Sequence, residues 1–300
     1  MILLRLMGGL GNQMFQYAFA YNLANNGKVE LKVDDTLLLD RSLPDEVVTH
    51  RTLVLNKIFD INIHLSNKQD IEYFNGRIYT SLIGKLYNKC LWQFKKYKLV
   101  IEKSREFDSA LLSLKDDVCL VGSFQSELYF KKYANEIREL YKFRNELLPI
   151  SFKLADLLES SASVAIHIRR GDYVSSPLYS DIIGTLPISY YDEAIEIMIQ
   201  KVSSPTFFVF SDDINWCKKE FEKYLVPIVY IDDVHAGECA GNYLQLMTLC
   251  KHFIISNSTF AWWGAWLSIH EHKMVIAPNK WFKKEEFNNN QIVPSNWTKI

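Results

Sequence analysis

Apolar positions in this chain gather into short runs divided by stretches of helical periodicity. Ile2 to Met7 is apolar apart from Arg5, Gly8-Gly9-Leu10-Gly11 breaks the run, and Phe15, Phe19 and Leu23 then recur at helical spacing. Val29 to Val33 alternates like a strand. The pattern predicts a βαβ opening, hence a parallel sheet with helices on its faces. A polar stretch from Leu147 to Ser163, with Pro149 and a Ser160-Ser161-Ala162-Ser163 run, places a domain boundary near 150. Beyond it the pattern predicts strands at 164–168, 206–210, 228–231, 253–256 and 274–277, with helices near 189–200, 214–224, 241–250 and 260–269. Five apolar strands alternating with helices describe a doubly wound α/β domain, in which ligands bind beyond the carboxyl ends of the strands.

Composition narrows the class. The 300 residues suit two domains of ordinary size, 48% of them are apolar, and 34 Lys+Arg against 35 Asp+Glu leave a net charge of −1. That balance argues against a nucleic-acid binder. The five cysteines (Cys90, Cys119, Cys217, Cys239, Cys250) include no C-x-x-C, so neither a disulfide framework nor a zinc cluster is expected. The N-terminal apolar run is too short for a signal peptide, and nowhere do 18 apolar residues follow one another. A cytoplasmic protein is expected. Residues 85–105 carry seven basic side chains and one acidic, interleaved with Tyr87, Trp92, Phe94 and Tyr97. The stretch reads either as a solvated face or as a peripheral contact with anionic lipid or a lipid-linked glycan at the inner face of the membrane.

The strand ends carry the chemistry. After Val164–Ile166 stands His167-Ile168-Arg169-Arg170-Gly171-Asp172-Tyr173. Guanidinium forks bind phosphate oxygens bidentately, so this segment suits a polyanion, with Arg169 the candidate for chemistry and one arginine free to serve an internal ion pair. After the 253–256 strand, Asn257-Ser258-Thr259-Phe260 leads into a helix holding Trp262, Trp263 and Trp266. Ser258 or Thr259 occupies the N-cap position, and a helix N-terminus there offers N–H groups to a diphosphate; the tryptophans read as core. Asp212 and Asp213 end the 206–210 strand, suited to guanine or ribose, or to an ordinary N-cap. Asp232-Asp233 with His235 and Glu238 offers oxygen ligands without metal-site spacing. The opening glycine turn imitates a dinucleotide fingerprint but has Met14 where the third glycine belongs. Gly11, Asn12 and Gln13 instead read as an acceptor or phosphate contact, amides being suited to sugar hydroxyls and phosphate.

Taken together, Gly8-Gly9-Leu10-Gly11-Asn12-Gln13-Met14-Phe15-Gln16-Tyr17-Ala18, His167 to Tyr173, Phe210-Ser211-Asp212-Asp213 and Ser256 to Gly264 resemble the motifs of bacterial α-1,2-fucosyltransferases of glycosyltransferase family eleven, in order and from near residue 1 to about residue 281. The resemblance implies a GT-B-like fold of two Rossmann-like domains facing across a cleft: an acceptor-side domain at 1–150 and a GDP-fucose-binding domain at 151–300. It implies inverting, metal-independent transfer of fucose from GDP-fucose to the 2-OH of a terminal galactose on a glycan acceptor. It assigns Arg169, Asp172 and His167 to catalysis. His167, Arg169, Arg170, Asp212, Asn257, Ser258, Thr259 and Phe260 are assigned to the donor, and Asn12 to the β-phosphate or the acceptor. In that chemistry Arg169, with His167, Ser258 and Thr259, neutralises charge building on the departing diphosphate. No base is named by the residues; Asp34 and Asp35 are candidates by position alone. Two other classes remain at this stage, a dinucleotide oxidoreductase and a non-catalytic carbohydrate-binding protein.

Overall fold

The computed structural model describes residues 1–42, 49–75, 98–287 and 291–300. Its contacts divide the chain into two compact units, each with one parallel sheet.

The first unit comprises Met1–Ser42, His50–Asn56 and Ile61–Glu139. Its strands are β1 (Ile2–Arg5), β2 (Leu31–Asp34), β3 (Lys98–Ile101) and β4 (Val118–Val121), in the order β2-β1-β4-β3 and all parallel. Helix Leu10–Gly27 joins β1 to β2 as the periodicity predicts. β2 starts later than Val29 because the chain closes the helix first: Lys28 turns left-handed at φ 50° and Val29 N–H donates to the Ala24 carbonyl. Of the basic stretch at 85–105, residues up to Tyr97 lie outside the described residues. Lys98–Ile101 is strand β3, with Val100 buried and Lys98 and Ile101 exposed. Cys90 and Asn288–Asn290 also lie outside the described residues; Cys119, Cys217, Cys239 and Cys250 are free thiols.

The second unit is built on Leu140–Ile300 and also takes Lys57–Asp60. Against a boundary expected near 150, it begins at Leu140, because Phe59 packs on Tyr141 with ring centroids 4.9 Å apart and Arg144 N–H donates to the Ile58 carbonyl. The stretch read as a polar linker contains a helix, Phe152–Ser160, whose buried Ala155 and Leu158 stand three residues apart. The strands are β5 (Ala162–Ile168), β6 (Pro205–Ser211), β7 (Ile228–Ile231), β8 (His252–Ile254), β9 (Val275–Ala277) and β10 (Thr298–Lys299). β10 is a sixth strand beyond the five expected; two exposed polar residues give no apolar signal. The order is β10-β9-β8-β5-β6-β7, all parallel. This is the doubly wound order in which the first strand and the fourth lie side by side at the centre.

Burial on both faces explains why β5 is apolar throughout except at Ser163 and His167. The sheet packs on one side against helix Ile188–Lys201, through Tyr191, Ala194, Ile195 and Met198. Helix Thr259–Leu267 is buried from Ala261 to Leu267, its tryptophans forming core as expected. Trp262 Nε1 donates to the Ile292 carbonyl at 2.7 Å, which satisfies the one polar atom of that ring. No described helix is long and apolar enough to cross a membrane.

Candidate active site

In the second unit the sheet order reverses between β5 and β8, so the segments leaving these strands, Arg169–Tyr173 and Ile255–Thr259, emerge side by side at the carboxyl ends. His167, near the end of β5, is buried, and its Nδ1 lies 2.8 Å from Ser256 Oγ on the segment after β8. Burial, helped by the neighbouring Arg169 charge, lowers its pKa to about 3. A neutral imidazole ties the two strand ends together and supplies no positive charge.

Arg169 is gripped by two carboxylates. Its Nε and Nη2 donate to Asp172 Oδ1 at 3.0 and 2.7 Å, and its Nη1 lies 2.9 Å from Asp212 Oδ2. Burial pulls the guanidinium pKa down, but Asp212 and Asp172 outweigh it and hold it above its ordinary value. Arg170 turns the other way: Nε reaches Asp213 Oδ2 at 2.9 Å and the guanidinium stacks 4.2 Å from the Trp216 ring centroid. Arg170 forms the internal ion pair that one of the two arginines was expected to make. The segment read as suited to a polyanion is thus an internally paired cluster, two guanidinium groups faced by three carboxylates.

Asp212 and Asp213 are spent within the protein. Asp212 Oδ1 accepts from Arg170 N–H at 2.8 Å, and Asp213 Oδ1 accepts from Trp216 N–H at 3.1 Å as the N-cap of helix Ile214–Phe221. Asp212 serves as the anchor of Arg169, a role read from no sequence signal. Gly171 makes room for it, since a Cβ there would lie 2.6 Å from Asp212 Oδ2.

Beyond β8, the Asn257 amide donates to the carbonyls of Gly184 (3.0 Å), Trp281 (3.1 Å) and Ile183 (3.4 Å), bracing two loops. Ser258 is the N-cap of helix Thr259–Leu267 and makes no capping bond with its side chain. Phe260 stands 5.8 Å from the His167 ring, and Tyr173 hydroxyl donates to the Asn257 carbonyl at 3.3 Å. Arg169, Asp172, Ser258, Thr259 and Phe260 therefore belong to one locality. What the arrangement offers is a fixed guanidinium beside a helix N-terminus, suited to an anion.

In the first unit Gly11 is buried in the first turn of helix Leu10–Gly27. Gln13 is fully buried: Nε2 donates to the carbonyls of Gly8 (3.0 Å) and Thr52 (2.8 Å), and Oε1 accepts from Val54 N–H. Gln13 is thus corrected from ligand contact to staple of the glycine turn. Asn12 is half-buried and pairs with Gln125. Asp34, a positional candidate for a base, is buried and fully engaged by Arg5 Nε (2.6 Å) and by Thr36 N–H (3.0 Å) and Oγ1 (2.6 Å). Among the described residues, no group of three or more His, Cys, Asp or Glu is placed to hold a metal ion. His235 pairs with Ser151 Oγ at 2.9 Å and Glu238 with Lys57 at 3.1 Å.

The model of one family, glycosyl transferase family 11, matches residues 1–300. The chain belongs to glycosyl transferase family 11. Relatives within reach include an Escherichia coli alpha-1,2-colitosyltransferase, 34% identical and covering 100% of this chain and 98% of that protein. The Escherichia coli O-antigen biosynthesis glycosyltransferase WbnK is 33% identical over 98% of this chain and 99% of its own. The galactoside alpha-(1,2)-fucosyltransferase 2 of Pongo pygmaeus is 28% identical over 87% of this chain and 67% of its own. Among solved structures, a variant of Arabidopsis thaliana FUT1 in complex with GDP has a TM-score of 0.51 at 12% identity, covering 91% of this chain and 69% of that one. Fucosyltransferase NodZ from Bradyrhizobium has a TM-score of 0.50 at 13% identity, covering 88% and 91%. The family 11 chain thus has the GT-B-like α/β architecture, and it is a glycosyltransferase rather than an oxidoreductase or a sugar-binding module.

Proposed function

We propose that this family 11 enzyme transfers fucose from GDP-fucose, with inversion and without a metal, to the 2-OH of a terminal galactose in a glycan. The observation that carries the reading is the Arg169 guanidinium, fixed by Asp172 and Asp212 at the carboxyl end of β5 beside the N-terminus of helix Thr259–Leu267. Loss of GDP builds negative charge on the β-phosphate, and preorganised donors at that atom lower the barrier because they need not reorient as charge develops. Arg169 and the first-turn N–H groups after Ser258 are the donors for it. Asp172 and Asp212 hold the fork in place and keep it charged; Asn257 and Tyr173 hold the segment after β8. His167 donates or accepts a hydrogen bond as a neutral ring.

A second donor sugar, colitose, is favoured by the name of one relative that matches this chain throughout. It lacks one hydroxyl that fucose carries, so a single contact separates the two readings. The deciding experiment incubates the protein in EDTA with GDP-fucose or GDP-colitose and a panel of galactosides, following GDP release and identifying the linkage formed. An α-1,2-fucosyl product in EDTA is expected. Fucose transfer that stops on chelation removes the metal-free mechanism, transfer only from GDP-colitose reassigns the donor, and a product linked elsewhere than at galactose O2 reassigns the acceptor. A cytoplasmic location at the inner face of the membrane accompanies the proposal, where fractionation of cells expressing the tagged chain tests it.

A further inference from the structure

A proline interrupts the second sheet at the place where the chain turns into the site. β8 and β9 run parallel, with Phe253 opposite Val275 and Ile254 opposite Ile276. Along this pairing Phe253 N–H donates to the Met274 carbonyl and Ile255 N–H to the Ile276 carbonyl, each at 2.9 Å. In a parallel ladder a residue that donates to one carbonyl accepts from the N–H two residues further along the same neighbour. The Ile255 carbonyl is therefore due the N–H of residue 278, and that residue is Pro278, which has none to give.

Tyr190 takes that carbonyl instead. It stands in the first turn of helix Ile188–Lys201, and its hydroxyl donates to the Ile255 carbonyl at 2.6 Å, with the Ile276 carbonyl farther off at 3.3 Å. Burial pushes the hydroxyl pKa well above its ordinary range, so the group stays a donor. A buried carbonyl left unpaired is a standing cost, which this one hydroxyl removes. The residues that follow carry the bonds of the site: Ser256 Oγ meets His167, the Asn257 amide braces Gly184 and Trp281, the Asn257 carbonyl accepts from Tyr173, and Ser258 begins helix Thr259–Leu267. Pro278 withholds the ladder partner and Tyr190 supplies its substitute, so together they fix the point at which the chain leaves the sheet.

We infer that Tyr190 is a positioning residue for the anion site: with Pro278 it ends the β8 ladder at Ile255 and so sets where Ser256–Ser258 and the start of helix Thr259–Leu267 stand beside Arg169. The inference rests on the proposed reading of that site as the seat of a nucleoside diphosphate. Tyr190 acts through the Ile255 backbone, its ring being part of the core under the sheet.

The test measures GDP binding by calorimetry, with thermal melts, on the native protein, Tyr190→Phe and the double variant Tyr190→Phe/Pro278→Ala. Phenylalanine keeps the ring and removes only the hydroxyl; alanine at 278 gives the Ile255 carbonyl a ladder N–H and draws the chain on along β9. Tyr190→Phe is expected to raise the Kd for GDP about 10-fold and to lower Tm by about 3 °C. The double variant is expected to regain Tm to within about 1 °C of native while its Kd stays at least about 5-fold weaker, because the carbonyl is paired again but the turn is displaced. A Kd that recovers together with Tm overturns the inference, since Tyr190 then serves the fold alone. So does a Kd within about twofold of native for Tyr190→Phe, and so does a double variant that regains no stability, because Pro278 then does not end the ladder. Should Tyr190→Phe not fold, the double variant carries the measurement with the same outcomes. A native protein that binds no GDP overturns the functional reading instead. Hydrogen exchange, which needs no ligand, then decides the inference: faster exchange over residues 256–260 in Tyr190→Phe, with native rates over 275–277, sustains it, and unchanged rates over 256–260 overturn it.

Discussion

Gly171→Ala adds one methyl group where the grip on Arg169 is tightest. Its Cβ would meet Asp212 Oδ2 at 2.6 Å, whereas ordinary contact begins at 3.4 Å, so that oxygen must retreat. The same oxygen lies 2.9 Å from Arg169 Nη1, and a retreat of this size opens the pair to roughly 3.7 Å; at an effective dielectric of about 20 that loses about 1 kcal/mol. Both side chains are less than a third exposed, so screening trims this figure without removing it. Alanine also stiffens the first residue of helix Gly171–Ser175, a gain of at most about 0.5–1 kcal/mol that offsets the clash in stability. Catalysis has no such offset. A catalytic group displaced by about 1 Å can cost about 100-fold, so kcat is expected to fall about 10- to 100-fold while Tm stays within about 3 °C. Initial rates of GDP release at saturating substrates, with melts on the same preparations, make the measurement. Turnover within twofold of the native enzyme would show that the Asp212 contact does not set the guanidinium, and the proposed role of the pair would be abandoned.

Three further outcomes are expected. Arg169→Ala should abolish transfer by about 100- to 1,000-fold, and Arg169→Lys should recover little of it because one ammonium cannot span Asp172 and Asp212; a lysine variant with near-native kcat argues against the fork. His167 titrates near 3 when folded and near 6.5 when unfolded, so its contribution is complete above pH about 6.5 and is lost as pH falls toward 3, about 2 kcal/mol by pH 5. Melts at pH 7.5 and 5 should show a smaller acid loss for His167→Asn than for the native protein, and equal losses count against the buried neutral ring. Lys273 Nζ donates to the carbonyls of Ala265 (2.7 Å) and Ser268 (2.6 Å) at the end of helix Thr259–Leu267, so Lys273→Met should cost about 1–2 kcal/mol in urea unfolding and leave GDP affinity within twofold. An unchanged midpoint would remove the capping role.

Much of the second sheet was legible because its central strands are buried on both faces and a helix such as Ile188–Lys201 on one, which writes period and run length directly into the sequence. β10 was not, being two exposed polar residues paired with β9, and neither was helix Phe152–Ser160, whose apolar positions sit among charges. At the site, Arg169 and Ser258 stood out because their residue types suit an anion at a strand end. Gln13 stood out for the same reason and misled, since an amide that binds sugar and an amide that staples a turn are the same group. Nothing in the letters around Tyr190 separates it from an ordinary core tyrosine; its partner Ile255 is distant in sequence and meets it only where helix Ile188–Lys201 packs on the sheet.

The sequence by itself determined the α/β class, the parallel sheets, the strand ends where chemistry belongs and the family to which the motifs are similar. Those properties are local: burial periodicity, turn glycines and residue type act over a few neighbours. Only the tertiary structure decided the ionisation and pairing of the site. His167 is neutral because β5 buries it, Arg169 is held because β6 brings Asp212 beside it, and Arg170 is a brace because Asp213 and Trp216 meet it. Charge and hydrogen bonding depend on what lies within a few ångströms in space, and residues far apart along the chain supply most of that surrounding.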